Sequence, residues 1–491
     1  MLDLTARARR AAQDAGFDVD FSRDEQRELQ RVLKRTTSTR SAENDGEIID
    51  WRALLWSSID NETSRDLDQV EFAEKLQNGD ILLRIGIADV DEFVAQGSQM
   101  DIQAARNTTS LYTGIETFPM LPRPLSEGAT SLLPDEDRAA VVTSFVVEQN
   151  GQVRDVEIGR AFVRNRAKLI YEEVGAWLDE QENRRSSTRI AELEEIDGLR
   201  EQISLQHEAA IRLQKARQRS GALELQTREA TVVVRDGRVV DLREAHKDAA
   251  RKIIELFMTN ANMATANWLR ERGRSSLGRV VREPARWPRI REIARERGDD
   301  LPPQADAPAL SQFLERQRNL APDDYAELSL AIVKLLGPGF YEVVRPQDNA
   351  IHFGLAAAHY THSTAPNRRF PDLVVQRIVK ATLQNKSTPY SDDELAQIAT
   401  RCNEQESKAQ KVERTMRKVA AASLFSERVG QTFKAVVTGA SGKGVWVRTF
   451  SPPVEGRVVE GERGLDVGER VLVKLVHTDI ERGFIDFVRV S

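Results

Sequence analysis

Apolar residues three and four apart open the chain: Leu4, Ala8, Ala11 and Ala12, then Leu29, Val32 and Leu33, all among many charges. That spacing predicts two solvated helices, followed by a Thr/Ser/Asn/Gly linker from Thr36 to Gly46. The period then changes. Gln69–Ala73 and Ile81–Val90 read as strands separated by an Asn78-Gly79-Asp80 turn, and Val153–Val163 alternates. Leu169–Gln218 reads as largely helical and highly charged, Gly221–Leu242 as a hairpin around Asp236-Gly237, and Ala249–Leu269 as a more apolar helix. Pro284, Pro288, Pro302, Pro303 and Pro308 punctuate short helices, and Gly337-Pro338-Gly339 marks a turn before Tyr341. Pro371 opens a helix carrying Leu373, Val374, Ile378 and Val379 at helical spacing, and residues 391–428 read as two charged helices. From 429 to 491 come about five short alternating strands with glycine turns, the count of an OB barrel. The pattern predicts a mixed α/β fold in three parts: a short helical segment over 1–45, a large core over 46–428 and a small β-barrel over 429–491.

Composition narrows this modestly. At 491 residues, 40% hydrophobic and 30% charged, the chain is long enough for a large core and one or two small modules. Its longest apolar runs, such as Leu328–Leu336, are short and interrupted, which predicts no membrane span. The first residues lack the apolar stretch of a secretory signal. The single cysteine, Cys402, predicts no disulfide, no disulfide-linked partner and no thiolate metal site. These features point to a cytoplasmic protein. The net charge of −6 neither supports nor excludes nucleic acid, because local charge around a channel decides that.

Two stretches carry candidate chemistry. Asp60, Asp66 and Asp68 fall within nine residues on a loop between strands, a set suited to a hard, oxygen-liganded cation such as magnesium. The bland reading is a solvated turn. The second stretch, His362-Ser-Thr-Ala-Pro-Asn-Arg368-Arg369-Phe-Pro371-Asp372-Leu373, places two arginines just before a helix N-terminus. Backbone N–H groups and the helix dipole favour an anion there, and guanidinium forks match phosphate oxygens. Arginines paired with surface carboxylates are the bland counterpart.

The second stretch resembles the signature of the ribonuclease II (RNB) family, H-F-T-S-P-I-R-R-Y-P-D-L. Ser363, Ala365, Asn367, Phe370 and Gln376 depart from the pattern, while both arginines and the Pro-Asp helix start remain. The family's aspartate motif, roughly I-D-x-x-x-x-x-D-x-D-D, is matched at Asp60, Asp66 and Asp68, with Gln69 where a fourth aspartate would stand. Phe118-Pro-Met-Leu-Pro122 and Pro124-Leu-Ser126 resemble its P-M-L-P…L-S segment. The resemblance spans roughly 47–385, with a looser match for the C-terminal barrel. It implies an RNB-type catalytic core around a channel for single-stranded RNA, with an OB-fold RNA-binding barrel behind it. The implied activity is a processive, magnesium-dependent 3′→5′ exoribonuclease releasing 5′-mononucleotides.

Residue by residue, the resemblance implies that Asp60 and Asp66 hold metal, and that Asp68 binds metal or orients the attacking water. Gln69 is implied as a neutral ligand through its carbonyl. Arg368 would stabilise the phosphate in the transition state, and Arg369 would hold the neighbouring backbone or form a structural salt bridge. Tyr112 lies where a family tyrosine stacks on a base. Glu255, in a helix resembling I-E-E-x-M-x-x-A-N, matches a residue that contacts the terminal ribose. Leu225 lies near a position that is often an aromatic platform in the family. Asp89 and Asp91 read as structural. Family members usually carry cold-shock-type barrels at the N-terminal end, where helices are expected here. Gln69 keeps a second class open, a catalytically weak RNA-binding or regulatory protein on the same fold.

Overall fold

A computed structural model describes residues 3–38, 48–182, 188–226, 230–235, 238–244, 248–322, 324–442 and 444–490. Two helices come first, α1 (Leu4–Asp14) and α2 (Arg23–Ser38). Asp3 caps α1 by accepting the Ala6 N–H at 3.0 Å. Its Leu4, Ala8 and Ala12 face packs with Phe17 against Val412 and Met416, which fixes the helix to the body of the protein. The expected linker from Thr36 starts inside α2, and its remainder lies outside the described residues.

The central sheet is built from β1 (Ile48–Asp50), β2 (Trp56–Asp60), β3 (Gln69–Lys75) and β4 (Ile81–Ala88). After α3 (Gln99–Asn107) and the small pair β5 (Leu111–Tyr112) and β6 (Thr117–Phe118), it is completed by β7 (Asp137–Val147) and β8 (Val153–Ile170). The order is β1-β8-β2-β3-β4-β7, and β7 also pairs with β8, so the long strand closes the sheet on itself. Alternation assigns the two faces. Trp56, Val70, Phe72 and Ala140 join one core, while Ile59, Ala73, Ile85 and Ile87 join another. Gly86 leaves room for the first of these cores, since a Cβ there would meet Val70 Cγ2 at 3.1 Å and Ala140 Cβ at 3.6 Å.

The second face is covered by helices. In chain order come α4 (Tyr171–Glu182), α5 (Ala191–Glu195), α6 (Leu199–Arg219), β9 (Ala230–Arg235), β10 (Arg238–Glu244) and α7 (Ala249–Glu271). Then follow β11 (Ser276–Val280), α8 (Trp287–Glu296), α9 (Ala307–Leu320), α10 (Tyr325–Leu336), β12 (Phe340–Val344) and α11 (Phe370–Leu383). Val174, Ile203 and Phe257 bring α4, α6 and α7 onto Ile59 and Ile85. The antiparallel pair β9–β10 forms the later part of the expected hairpin, and its Asp236-Gly237 turn lies outside the described residues. Helices α8–α10 make their own core around Ile290, Phe313 and Ile332, which absorbs the Leu328–Leu336 run. No helix among the described residues is long and apolar enough to cross a membrane.

Where two charged helices are expected over 391–428, the structure has one, α12 (Asp392–Ser426), of 35 residues. Ser391 and Glu394 form a capping box at its start. No glycine or proline interrupts it, and Leu395, Ala399, Cys402, Ala409 and Met416 are buried along it. Tertiary packing carries the helix past its charged stretches. Its last turn seats the barrel of β13 (Thr432–Ser441), β14 (Gly444–Thr449), β15 (Glu455–Glu460), β16 (Arg470–Asp479) and β17 (Phe484–Arg489), closed in the order β13-β14-β15-β17-β16. Phe425 of α12 stacks on Phe433 at 5.0 Å and meets Phe487 edge-on at 6.4 Å. Of the barrel's aromatics, Phe433 and Phe487 are therefore core, while Phe450 and Phe484 are exposed.

Candidate active site

Asp60 ends β2, and the following loop returns to β3 at Gln69. Leu67 anchors that loop: it is fully buried, its N–H donates to Ser131 Oγ at 2.9 Å, and its carbonyl accepts from Leu132 N at 3.0 Å. With Leu67 turned into the core, its neighbours Asp66 and Asp68 are directed away from it. Asp60 Oδ1 is held by the Asn61 N–H and the Ser64 hydroxyl, each at 2.7 Å. Asp68, buried, accepts the Asn367 N–H at 3.3 Å on Oδ1 and Arg368 Nε at 3.2 Å on Oδ2. Residues 300 apart in sequence thus meet as a pair.

The arginine loop is set from both sides. Asp372, in the first turn of α11, accepts the Ala365 N–H at 2.8 Å and Arg369 at 2.6 Å, both on Oδ1. Thr130 Oγ1 donates to Asn367 Oδ1 at 2.6 Å. Ser110 N donates to the Arg368 carbonyl at 2.9 Å, and Phe370 N to the Thr108 carbonyl at 2.8 Å. These bonds send Arg368 toward Asp68 and Arg369 toward Asp372. Below the loop, Arg377 of α11 binds Asp91 and Asp101 at 2.8 Å each, and Lys380 binds Asp89 at 2.7 Å. Arg160 of β8 completes the network on Asp89 at 2.8 Å. Asp89 and Asp91 thus tie α11 to the sheet.

Burial shapes the electrostatics. It raises the Asp66 carboxyl, and raises that of Asp68 to about 7 against the pull of Arg368. Burial, then the charge of Asp60, holds the Glu71 carboxyl well above the usual range. Desolvation pushes the Tyr112 phenol up to about 12, with Arg368, Asp66 and Asp68 the charged groups acting on it next. Tyr112 is 41% exposed, so its ring stands at the open side of the two loops. Arg368 is half-exposed, and among the described residues its side-chain bond is through Nε alone.

The structure thus brings Asp60, Asp66, Asp68, Arg368 and Tyr112 into one electrostatic neighbourhood. Gln69, buried, begins β3 opposite Ile87 of β4. Arg369 sits in its salt bridge with Asp372, the second of its two expected roles. Glu255 accepts from Lys252 Nζ at 3.2 Å on the exposed side of α7, and it is not among the charged groups acting on the two loops. Leu225 packs on the α8–α10 core. Sequence reasoning missed Arg251, whose guanidinium lies 4.4 Å from the Tyr171 ring centroid and 3.4 Å from Asn61 Oδ1. It also missed Glu71. Neither stands in a motif, and each reads as an ordinary strand or helix residue.

The donor set is all oxygen, as a hard cation requires. Among the described residues, no group of three or more His, Cys, Asp or Glu is placed to hold a metal ion by itself. One or two of these carboxylates together with substrate phosphates are the donors a hard divalent cation takes.

The chain matches the RNB domain over residues 48–385 and the RNase II-type exonuclease C-terminal S1 domain over 431–490. It is 27% identical over 471 residues to Ribonuclease R 1 of Lactococcus lactis, covering 89% of this chain and 56% of that protein. It is 28% identical over 478 residues to Ribonuclease R of Thermotoga maritima, covering 90% and 65%. The chain therefore spans between half and two thirds of the length of these relatives. Mycoplasma genitalium RNase R in complex with ribose methylated single-stranded RNA superposes with a TM-score of 0.88 at 21% identity, covering 99% of this chain and 78% of that one. Yeast Ssd1, a pseudonuclease, superposes at 0.65 with 17% identity, covering 88% and 53%.

Proposed function

The chain belongs to the RNB-domain family, and from that premise we propose that it is a 3′→5′ exoribonuclease acting processively on single-stranded RNA. The observation that carries this reading is the Asp68–Arg368 pair, a buried carboxylate and a half-exposed guanidinium joined at 3.2 Å. Magnesium, held by Asp60 and Asp66 with Gln69 offering a carbonyl, would supply an activated water and charge neutralisation when bound. The chain's own residues do the rest. Asp68 shares in holding the cation or directs the attacking water, its orientation fixed by Asn367 N and Arg368. Arg368 offers its remaining N–H groups to the scissile phosphate as charge develops there. Tyr112 stacks on a base near the 3′ end, with its π-face open to the cleft. Glu255 reaches the terminal ribose once it leaves Lys252, and Arg369 shapes the loop through Asp372. Products are 5′-mononucleotides.

The units that follow are a helical segment over 1–45, a catalytic domain over 46–428 and an RNA-gripping OB barrel over 429–491. The lone, buried Cys402 accords with a reducing cytoplasm. Gln69 favours a second reading, a catalytically weak RNA binder, because an amide there removes one charge from the carboxylate set. Asp68→Asn separates the two. It should lose nearly all cleavage while binding single-stranded RNA with little change, because the channel is untouched. Turnover equal to wild type would remove this loop from the chemistry.

A further inference from the structure

Tyr112 is carried by a hairpin with 2 residues in each strand, β5 and β6, in which Leu111 pairs with Phe118 and Tyr112 with Thr117. Alternation puts Leu111 and Phe118 on one face and Tyr112 on the other. A two-stranded hairpin is marginal in water, so its place is set by whatever covers its apolar face. Leu111 and Phe118 are 1% and 4% exposed. The core that buries them is shared by Leu4, Ala8, Ala12 and Phe17 of the N-terminal segment and by Val412 and Met416 of α12. Two polar ties reinforce the N-terminal side. Arg9 of α1, paired with Asp20 at 2.8 Å, lies 5.8 Å from the Phe118 ring centroid and 3.9 Å from Glu116 in the hairpin turn. Beyond α1, Asp18 N donates to the buried Asn107 Oδ1 at 2.9 Å, and the Asn107 amide donates back to the Asp18 carbonyl at 2.8 Å. That reciprocal pair fixes the end of α3 just before the chain enters β5.

The rest of the hairpin belongs to the site. Ser110 N donates to the Arg368 carbonyl at 2.9 Å, so the strand that carries Tyr112 starts on the arginine loop. Tyr112 N donates to Glu413 of α12 at 3.2 Å. The hairpin is therefore held between the arginine loop and α12 on one side and the N-terminal segment on the other. We propose that α1 and the turn after it are part of the RNA cleft: through Phe17 and Arg9 they hold the β5–β6 hairpin where Tyr112 can stack on a base. Phe17 and Arg9 are positioning residues, acting through Leu111 and Phe118 rather than on RNA itself. The inference rests on the reading of Tyr112 as the stacking residue. It goes beyond that reading by giving a segment outside the matched RNB domain, which begins at 48, a role in holding substrate.

The test is a double-mutant cycle on the full chain, read as affinity for a short single-stranded RNA labelled with fluorescein at its 5′ end, by anisotropy in the presence of a metal chelator. Tyr112→Ala removes the stack and should weaken binding about ten-fold. Phe17→Ala should weaken it about three- to ten-fold, and Arg9→Gln by less, with the circular dichroism spectrum unchanged. In the Tyr112→Ala background neither substitution should weaken binding further, because the side chain they position is gone. A general loosening of the fold would add there as it does in wild type. Wild-type affinity in both Phe17→Ala and Arg9→Gln, or a fully additive loss on top of Tyr112→Ala, overturns the proposal and leaves the stacking reading in place. Wild-type affinity in Tyr112→Ala removes the stacking reading itself, and the proposal with it. Should Phe17→Ala not fold, Arg9→Gln in the two backgrounds decides alone.

Discussion

Arg368 shows how much one side chain's setting decides. Its carbonyl is fixed by Ser110, and its Nε is held by Asp68, so the guanidinium is placed before any substrate arrives. Preorganised contacts of this kind act on the barrier rather than on affinity. Arg368→Ala should therefore lower the single-turnover rate by roughly 100- to 1,000-fold, about 2.7–4 kcal/mol, while RNA affinity changes far less. Arg368→Lys should rescue little, since an ammonium lacks the fork. An Arg368→Ala chain that loses only affinity would make the residue a positioning contact. The aspartates and Arg368 were legible because loop chemistry is written in polar residues at fixed spacing. The burial of Glu71 was not, because it comes from the strand paired beside it and the helix packed over it, neither of which spacing records.

At the scale of elements, α11 delivers the arginine loop, and a buried ionic network holds α11. Burial disfavours the charged form of Asp89, but Lys380 and Arg160 more than offset it and keep its carboxyl below the usual range. Removing that carboxylate takes away the buried partner that Lys380 and Arg160 share, leaving Lys380 its bridge to Asp91 at 2.9 Å and Arg160 its bridge to Glu92 at 3.1 Å. Asp89→Asn should cost about 3 kcal/mol in denaturant unfolding, the low end for a broken buried pair. Because the folded pKa is lowered, the contribution of Asp89 is present above the unfolded value near 3.9 and is lost as pH falls through the folded value. Wild type should approach the variant only in strong acid. A variant as stable as wild type at pH 7 would mean that this network is not what anchors α11. The helix itself was readable from Pro371 and its apolar spacing. The single α12 was not, since its continuity comes from Cys402, Ala409 and Met416 packing on elements remote in sequence.

At the scale of the whole molecule, the barrel sits on the end of α12 through the Phe425, Phe433 and Phe487 cluster. Phe425 is fully buried, so Phe425→Ala should cost about 3–5 kcal/mol and loosen the barrel first. Binding of long RNA should weaken and its salt dependence flatten, because phosphate contacts release counterions. Cleavage of very short RNA should persist. Loss of short-RNA turnover in a folded variant would make the barrel part of the catalytic body. The strand count of the barrel was plain in the sequence, but its exposed aromatics could not be told from core ones until the seat on α12 was known.

The central claim is cleavage from the 3′ end, and a time course on 5′-labelled single-stranded RNA with magnesium tests it most directly. Wild type should give a ladder that shortens progressively from the 3′ end and releases 5′-mononucleotides, with Asp68→Asn giving none. Intact RNA bound by wild type at saturating magnesium, or fragments from internal cuts, would contradict the account.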